Sequence, residues 1–133
     1  MTIREYTDYR EEEIIRLYDA AGWSAYTENS EALRAGFENS LLVLAAYEGD
    51  NLAGLIRVVG DAHTIVFIQD ILVDPAYRRR GLGSALIREI LERYGHVRQI
   101  ELVTDNMPET AAFYRSAGFR ELSETGCLGF IRM

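Results

Sequence analysis

Residues 64–91 read TIVFIQDILV, DPAYRRR and GLGSALIREIL, and they decide the fold. Thr64 to Val73 is apolar enough for a buried strand. Asp74 to Arg80 is a short basic loop. Gly81 and Gly83 form a turn that opens an amphipathic helix. A strand that feeds glycines into a helix N-terminus exposes backbone N–H groups, and these favour an anion. Arg78, Arg79 and Arg80, set directly before the turn, make a phosphate group the expected anion. A plain connecting loop has no use for three arginines beside two glycines.

The chain has 133 residues, of which 48% are hydrophobic and 26% charged, so it has the composition of one globular domain over 1–133. Its net charge of −7 argues against nucleic acid and anionic membrane surfaces as partners, since both need a broad basic face. The same charge is compatible with cationic ligands, amines among them. One cysteine, Cys127, excludes an internal disulfide. The opening MTIREYTDYREEE has no apolar core of a secretion signal, and the run Leu41–Tyr47 is far too short to span a bilayer. The expected location is cytoplasmic.

Outward from residues 64–91, the pattern stays regular. Residues 2–6 alternate as a short first strand. Asp8 and Glu11 have capping-box spacing ahead of Ile14, Leu17, Tyr18 and Ala21, which share one helical face, and Gly22 is the expected stop. The acidic run Glu11–Glu13 reads as a solvated helix start. Gly22 to Tyr26 reads as a loop, and a second helix follows over about 30–39. Leu41–Tyr47 and Leu52–Val59 are strands about a turn of Glu48-Gly49-Asp50-Asn51, completing an antiparallel meander with Thr64–Val73. Arg98–Val103 follows a helix and is expected to run parallel to the preceding strand. Pro108 opens a last helix capped by Asp105 or Asn106 and ended by Gly118. Phe119–Leu122 and Leu128–Arg132 read as two closing strands. The expected architecture is α/β: a mixed sheet of about six to seven strands flanked by about four helices.

A nucleotide-triphosphate loop needs Gly-Lys-Ser/Thr, and Gly83-Ser84-Ala85 lacks it. A dinucleotide fingerprint needs a third glycine close behind the strand, and Leu86 stands there instead. The remaining pattern, Arg/Gln-x-x-Gly-x-Gly/Ala, is met by Arg78–Gly83 and resembles the acyl-coenzyme A pyrophosphate loop of the GNAT superfamily of N-acyltransferases. Ile71-Leu72-Val73-Asp74-Pro75 resembles that family's central-strand exit, and Ala112–Phe119 (AFYRSAGF) resembles its second landmark. The resemblance covers the whole chain.

It implies acetyl-coenzyme A as cofactor and a direct attack of a primary amine on the thioester. Backbone N–H groups from Arg79, Arg80, Gly81, Leu82, Gly83 and Ser84 would hold the pyrophosphate, with Arg78 steadying the loop or pairing with phosphate. Ile71, Leu72 and Val73 would pair with the pantetheine arm. Tyr114 would protonate the leaving thiolate, because a phenol of ordinary pKa about 10 stays protonated at neutral pH. Asp70 is the candidate base, its alternative being an ion pair with an arginine such as Arg57. Alternation sets Asp70 and Ile71 on opposite faces unless a bulge intervenes. Trp23, Tyr26 and Phe37 fall on the family's acceptor side and either line the amine pocket or pack the core. Asn106 lies one residue out of register for a pantetheine contact and reads as a helix cap.

His63 and His96 lie in turns without metal-ligand spacing, so no metal is expected. The acceptor is either a small-molecule amine or a protein amine. A homodimer through the C-terminal strands is compatible with the sequence. A different class of protein, an acyl-coenzyme A sensor acting on a protein partner, would keep the Arg/Gly loop without needing Tyr114.

Overall fold

The computed structural model describes residues 1–133, and it turns the meander of the sequence into the centre of a five-stranded mixed sheet in the order β1-β2-β3-β4-β5. Strands β2 (Leu42–Glu48), β3 (Asn51–Gly60) and β4 (Ile65–Val73) are antiparallel neighbours. Strand β1 (Thr2–Glu5) adds antiparallel to β2, and β5 (Gln99–Leu102) adds parallel to β4. The helical crossover between β4 and β5 is what allows that parallel pairing.

Helices cover both sheet faces, which is why β2 and β3 are nearly continuous apolar runs. On one face α1 (Glu11–Ala20) and α3 (Ser30–Glu38), with the single turn α2 (Ser24–Thr27) between them, form a core with Val43, Ala45, Leu55 and Leu72. Ile14, Leu17 and Tyr18 of α1 are fully buried there, each worth roughly 1.5–3 kcal/mol of transfer free energy. On the other face α4 (Leu82–Tyr94) lies against β2, β3 and β4 through Leu82, Leu86, Ile87 and Ile90. Gly54 is where α4 starts closest to the sheet. A Cβ there would sit 2.7 Å from Leu72 O and 3.1 Å from Leu82 Cδ2.

One irregularity governs the site. Arg57 pairs with Asp70, but Val58 pairs with Ile68, so Gln69 is an extra residue in β4. Cross-strand partners share a face, and Arg57 and Val58 alternate. Ile68 and Asp70 therefore point to opposite faces although they are two residues apart. Leu72 accordingly joins the α1 core, whereas Val66 and Ile68 do not. The bulge lies before Asp70, so Asp70 and Ile71 still alternate.

The chain divides into two units, Met1–Val103 and Thr104–Met133. The second holds α5 (Pro108–Ser116), ended by Gly118 at φ +97°, and a 3-10 turn at Leu122–Thr125. Arg115 clasps Glu121 and Glu124 across that turn.

Four local expectations are corrected. The sheet has five strands rather than six or seven, because residues 119–122 and 128–132 join no strand; a short β-prone segment becomes a strand only where an edge receives it. Helix α1 starts without the Asp8 cap. Its N-cap is Arg10, whose N–H donates to Tyr6 Oη at 3.1 Å. Glu11 and Glu12 are exposed, but Glu13 is half-buried, its Oε2 accepting from Tyr6 at 2.8 Å and Tyr47 at 2.7 Å. Helix α5 is preceded by Met107 as N-cap, with Asp105 Oδ1 accepting from Met107 N–H at 3.1 Å.

Candidate active site

The glycine turn leaves unpaired backbone N–H groups at the start of α4. Gly81 is the N-cap of α4 in the left-handed region at φ +74°, and Arg79 two residues earlier is left-handed at φ +65°. For an arginine that conformation costs about 1 kcal/mol, so the surrounding fold imposes it. The first backbone bond of α4 runs from Ala85 N–H to Gly81 O at 3.0 Å. The N–H groups of Leu82, Gly83 and Ser84 consequently have no helical acceptor. Leu82 contributes through its backbone alone, since its side chain is buried over Gly54.

The three arginines differ in their surroundings. Arg80 lies 3.7 Å from Glu48 Oε2 and over the Tyr77 ring at 5.4 Å. Arg78 and Arg79 are exposed beside the turn. The loop hangs from a clamp that sequence reasoning missed. Arg16 of α1 donates to Asp74 Oδ2 at 2.8 Å and to Leu52 O at 2.7 Å. Asp74 Oδ1 accepts from Ala76 N–H at 2.9 Å, and Asp74 N–H donates to Ala53 O at 2.8 Å. The Ala76 hydrogen bond, then the Arg16 partner, hold the Asp74 carboxyl below the usual carboxylate range despite partial burial. The sequence signal for this clamp is only a basic residue on the polar side of α1.

Beside this turn, β4 leaves an edge open. Strand β5 pairs with Ile65 to Ile68 and stops, Leu102 lying opposite Ile68. From Asp70 to Val73, β4 keeps its β3 partners but has no strand on the other side. Ile71, Leu72 and Val73 are thus an available edge, running toward the turn. An extended, amide-bearing chain ending in a pyrophosphate fits this pair of features: hydrogen bonds along the edge, then anion-binding N–H groups at its end.

Asp70 takes a different position from that of an open base. It is 1% exposed, and its Oδ2 accepts from Arg57 Nε and Tyr18 Oη, each at 2.7 Å. Oδ1 is buried without a partner. The guanidinium also reaches Ser40 Oγ at 3.3 Å and lies over the Phe37 ring at 5.4 Å. Burial and then the neighbouring carboxylate push the Tyr18 phenol well above its ordinary value. The Arg57 alternative foreseen for Asp70 is the one the geometry realises. A Cβ at Gly36 would stand 3.1 Å from Arg57 Nη1, so that glycine leaves room for the guanidinium.

The acceptor-side aromatics separate. Phe37 is buried, edge-on to Tyr6, Tyr9 and Tyr18. Trp23 and Tyr26 are half-buried and stacked, centroids 5.7 Å apart at 23°. Gln69 Nε2 donates to Tyr26 Oη at 3.1 Å, tying this pair to the bulge. In the second unit Tyr114 is half-buried, edge-on to Phe113 and Phe119. Burial raises its phenol pKa, the Asp105 charge adds to this, and a hydrogen bond with Thr104 opposes it. Asn106 is exposed and caps nothing. No helix is long and apolar enough to cross a membrane.

Comparison with known proteins bears on the same features. The acetyltransferase (GNAT) domain family matches residues 5–133. An acetyltransferase of the GNAT family from Streptococcus pneumoniae is 38% identical, with a TM-score of 0.89 over 99% of this chain and 96% of that one. The N-alpha-acetyltransferase RimI of Mycobacterium tuberculosis is 37% identical over 59% of this chain and 52% of its own length. The histone acetyltransferase TAP1 of Glycine max is 32% identical over 77% of this chain and 48% of its own. The chain thus spans about half the length of these two curated relatives.

Proposed function

The chain belongs to the GNAT acetyltransferase family, and from that premise we propose that it transfers an acetyl group from acetyl-coenzyme A to a primary amine. The observation that carries this reading is the open β4 edge at Gln69–Val73 leading to the unpaired N–H groups of Leu82, Gly83 and Ser84. In this reading the cofactor supplies an activated thioester whose C–S bond breaks as the amine nitrogen bonds the acetyl carbon.

The chain's own groups then have distinct tasks. The cradle N–H groups bind pyrophosphate, and the nearby guanidinium groups add charge. The backbone edge at Ile71–Val73 orients the arm and offers an N–H toward the thioester carbonyl. Tyr114, kept protonated at neutral pH, is the proton source for the thiolate. Asp70 holds Arg57 and Tyr18 beneath the bulge, so its part is to position the edge; removal of the amine's proton falls to water. Trp23 and Tyr26 offer aromatic faces to a cationic acceptor. The acceptor is a small-molecule or protein amine, and the expected compartment is the cytoplasm.

The test is calorimetric titration with acetyl-coenzyme A, coenzyme A and a nicotinamide dinucleotide, repeated on Gly83→Glu. Binding of the first two, abolished in the folded variant, is expected. Failure of the folded wild type to bind acetyl-coenzyme A overturns the reading. With binding in hand, Tyr114→Phe should slow acetylation in an amine panel by about 10²-fold or more with cofactor affinity kept. Unchanged turnover would remove Tyr114 from the mechanism.

A further inference from the structure

Of the three arginines beside the glycine turn only Arg80 is ion-paired, and its partner comes from outside the loop. Glu48 ends β2 and faces Asn51 across the β2–β3 hairpin. The next two residues of β3 hold the arginine loop: Leu52 O accepts from Arg16, and Ala53 O accepts from Asp74 N–H. Backbone contacts therefore fix Glu48 beside the loop. Its Oε2 is buried and has no hydrogen-bond partner. Arg80 Nη2 and the Met1 ammonium flank that oxygen, each at 3.7 Å, and both are beyond hydrogen-bond reach.

The loop thus carries two ion pairs of different kinds. Arg16 and Asp74 meet at 2.8 Å, and each makes a further hydrogen bond, so this contact fixes position. Arg80 and Glu48 attract without locking. The Arg80 side chain is half exposed and rests over the Tyr77 ring at 5.4 Å. Arg80 also directly precedes Gly81 and the unpaired N–H groups of Leu82, Gly83 and Ser84. A carboxylate at such a place opposes an anionic ligand, because it neutralises one guanidinium and repels phosphate. In a chain of net charge −7, local cations must supply the attraction, and Glu48 engages one of three.

On the acetyl-transfer reading above, we propose that Glu48 is a positioning residue for the cofactor loop. It holds Arg80 aside in the free protein, yields it to the pyrophosphate on binding, and recovers it as spent coenzyme A leaves. No covalent bond changes; Arg80 exchanges one oxyanion for another. The pyrophosphate wins that exchange because it carries more charge and offers the planar guanidinium two oxygens at once. The cofactor is consequently bound less tightly, and released sooner, than the basic loop alone would allow.

The experiment is calorimetric titration of the full chain with coenzyme A and acetyl-coenzyme A, at about 20 mM and about 0.5 M ionic strength. Glu48→Gln, Arg80→Met and the double variant are run beside the wild type, with circular dichroism melts as the check on folding and stopped-flow release of coenzyme A. Glu48→Gln is expected to bind both ligands about threefold more tightly at low salt, to release coenzyme A correspondingly more slowly, and to lose most of that gain at high salt. Arg80→Met should bind more weakly than the wild type. In the Arg80→Met background, Glu48→Gln should change affinity by less than about 1.5-fold. A gain of the same size in that background would mean that Glu48 repels phosphate without acting through Arg80, and it overturns the proposal. So does unchanged or weaker binding by folded Glu48→Gln while the wild type binds both ligands, a result that leaves the acetyl-transfer reading standing. A folded wild type that binds neither ligand overturns both.

Discussion

Replacing Asp70 by Asn tests whether the centre of β4 is held by charge. The amide keeps the shape and an acceptor oxygen for Tyr18 Oη and Arg57 Nε, but it removes the negative charge. The Arg57 side chain is 7% exposed, and its remaining contacts, Ser40 Oγ and the Phe37 face, carry no charge. Leaving a buried cation without its counter-ion costs about 3–5 kcal/mol. For a chain of this size that lowers Tm by roughly 10–20 °C. Urea unfolding followed by circular dichroism and tyrosine fluorescence measures it directly. The triple variant Tyr18→Phe/Arg57→Met/Asp70→Leu removes all the partners together and should recover to within about 2 kcal/mol of wild type, since no group is left orphaned. Asp70→Asn unfolding within about 0.5 kcal/mol of wild type would refute the reasoning. A triple variant no more stable than the single one would do the same.

Alkaline stability should report on Tyr18. Its folded pKa is raised above the unfolded value of about 10, so the folded state holds a proton that the unfolded chain releases. The Tyr18 contribution is then full below pH 10 and falls above it, by up to about 1.4 kcal/mol per pH unit. Tyr6 and Tyr114 are raised as well and add to the slope, so Tyr18→Phe should make the fall shallower by up to that amount in urea titrations at about pH 9–11.5, and an identical slope would exclude a Tyr18 contribution. Arg16→Met should raise the KM for acetyl-coenzyme A by about three- to tenfold with kcat nearly unchanged, because it loosens Asp74 without touching the reacting atoms. A fall in kcat at constant KM would show that the clamp does something other than place the loop.

The strand-loop-helix of residues 64–91 was legible because each signal is local: apolar runs give strands, and glycine beside an amphipathic pattern gives the helix start. The meander and the parallel β5 followed from connection lengths. What was not legible depends on distant partners. The start of α1 is decided by Tyr6 and Tyr47 reaching Glu13 from β1 and β2, and no capping pattern reports that. The bulge at Gln69 has no signature of its own, since Gln69 and Asp70 interrupt the apolar run IVFIQDILV without a glycine or proline to mark it. The sequence offers Asp70 as a candidate base with Arg57 as its alternative partner, and the structure shows the Arg57 pairing, yet the sequence places Tyr18 only on the apolar face of α1. The short α2 turn was hidden inside an expected loop. Segments 119–122 and 128–132 have strand-like composition, but composition cannot supply the edge they would need.

The extra residue at Gln69 makes β4 two half-strands of opposite phase. Positions 65–68 and 70–73 follow separate inside–outside rules, so a substitution tolerated at one even-numbered site gives no guidance for the next across position 69. Deleting Gln69 would make Ile68 and Asp70 neighbours opposite Val58 and Arg57, so both halves would keep their faces and the strand would become regular. What the deletion would take away is the local bend and the Gln69 hydrogen bond to Tyr26. Deleting Ile68 or Asp70 instead removes a paired residue, so a one-residue change in length is tolerable at position 69 and costly on either side of it.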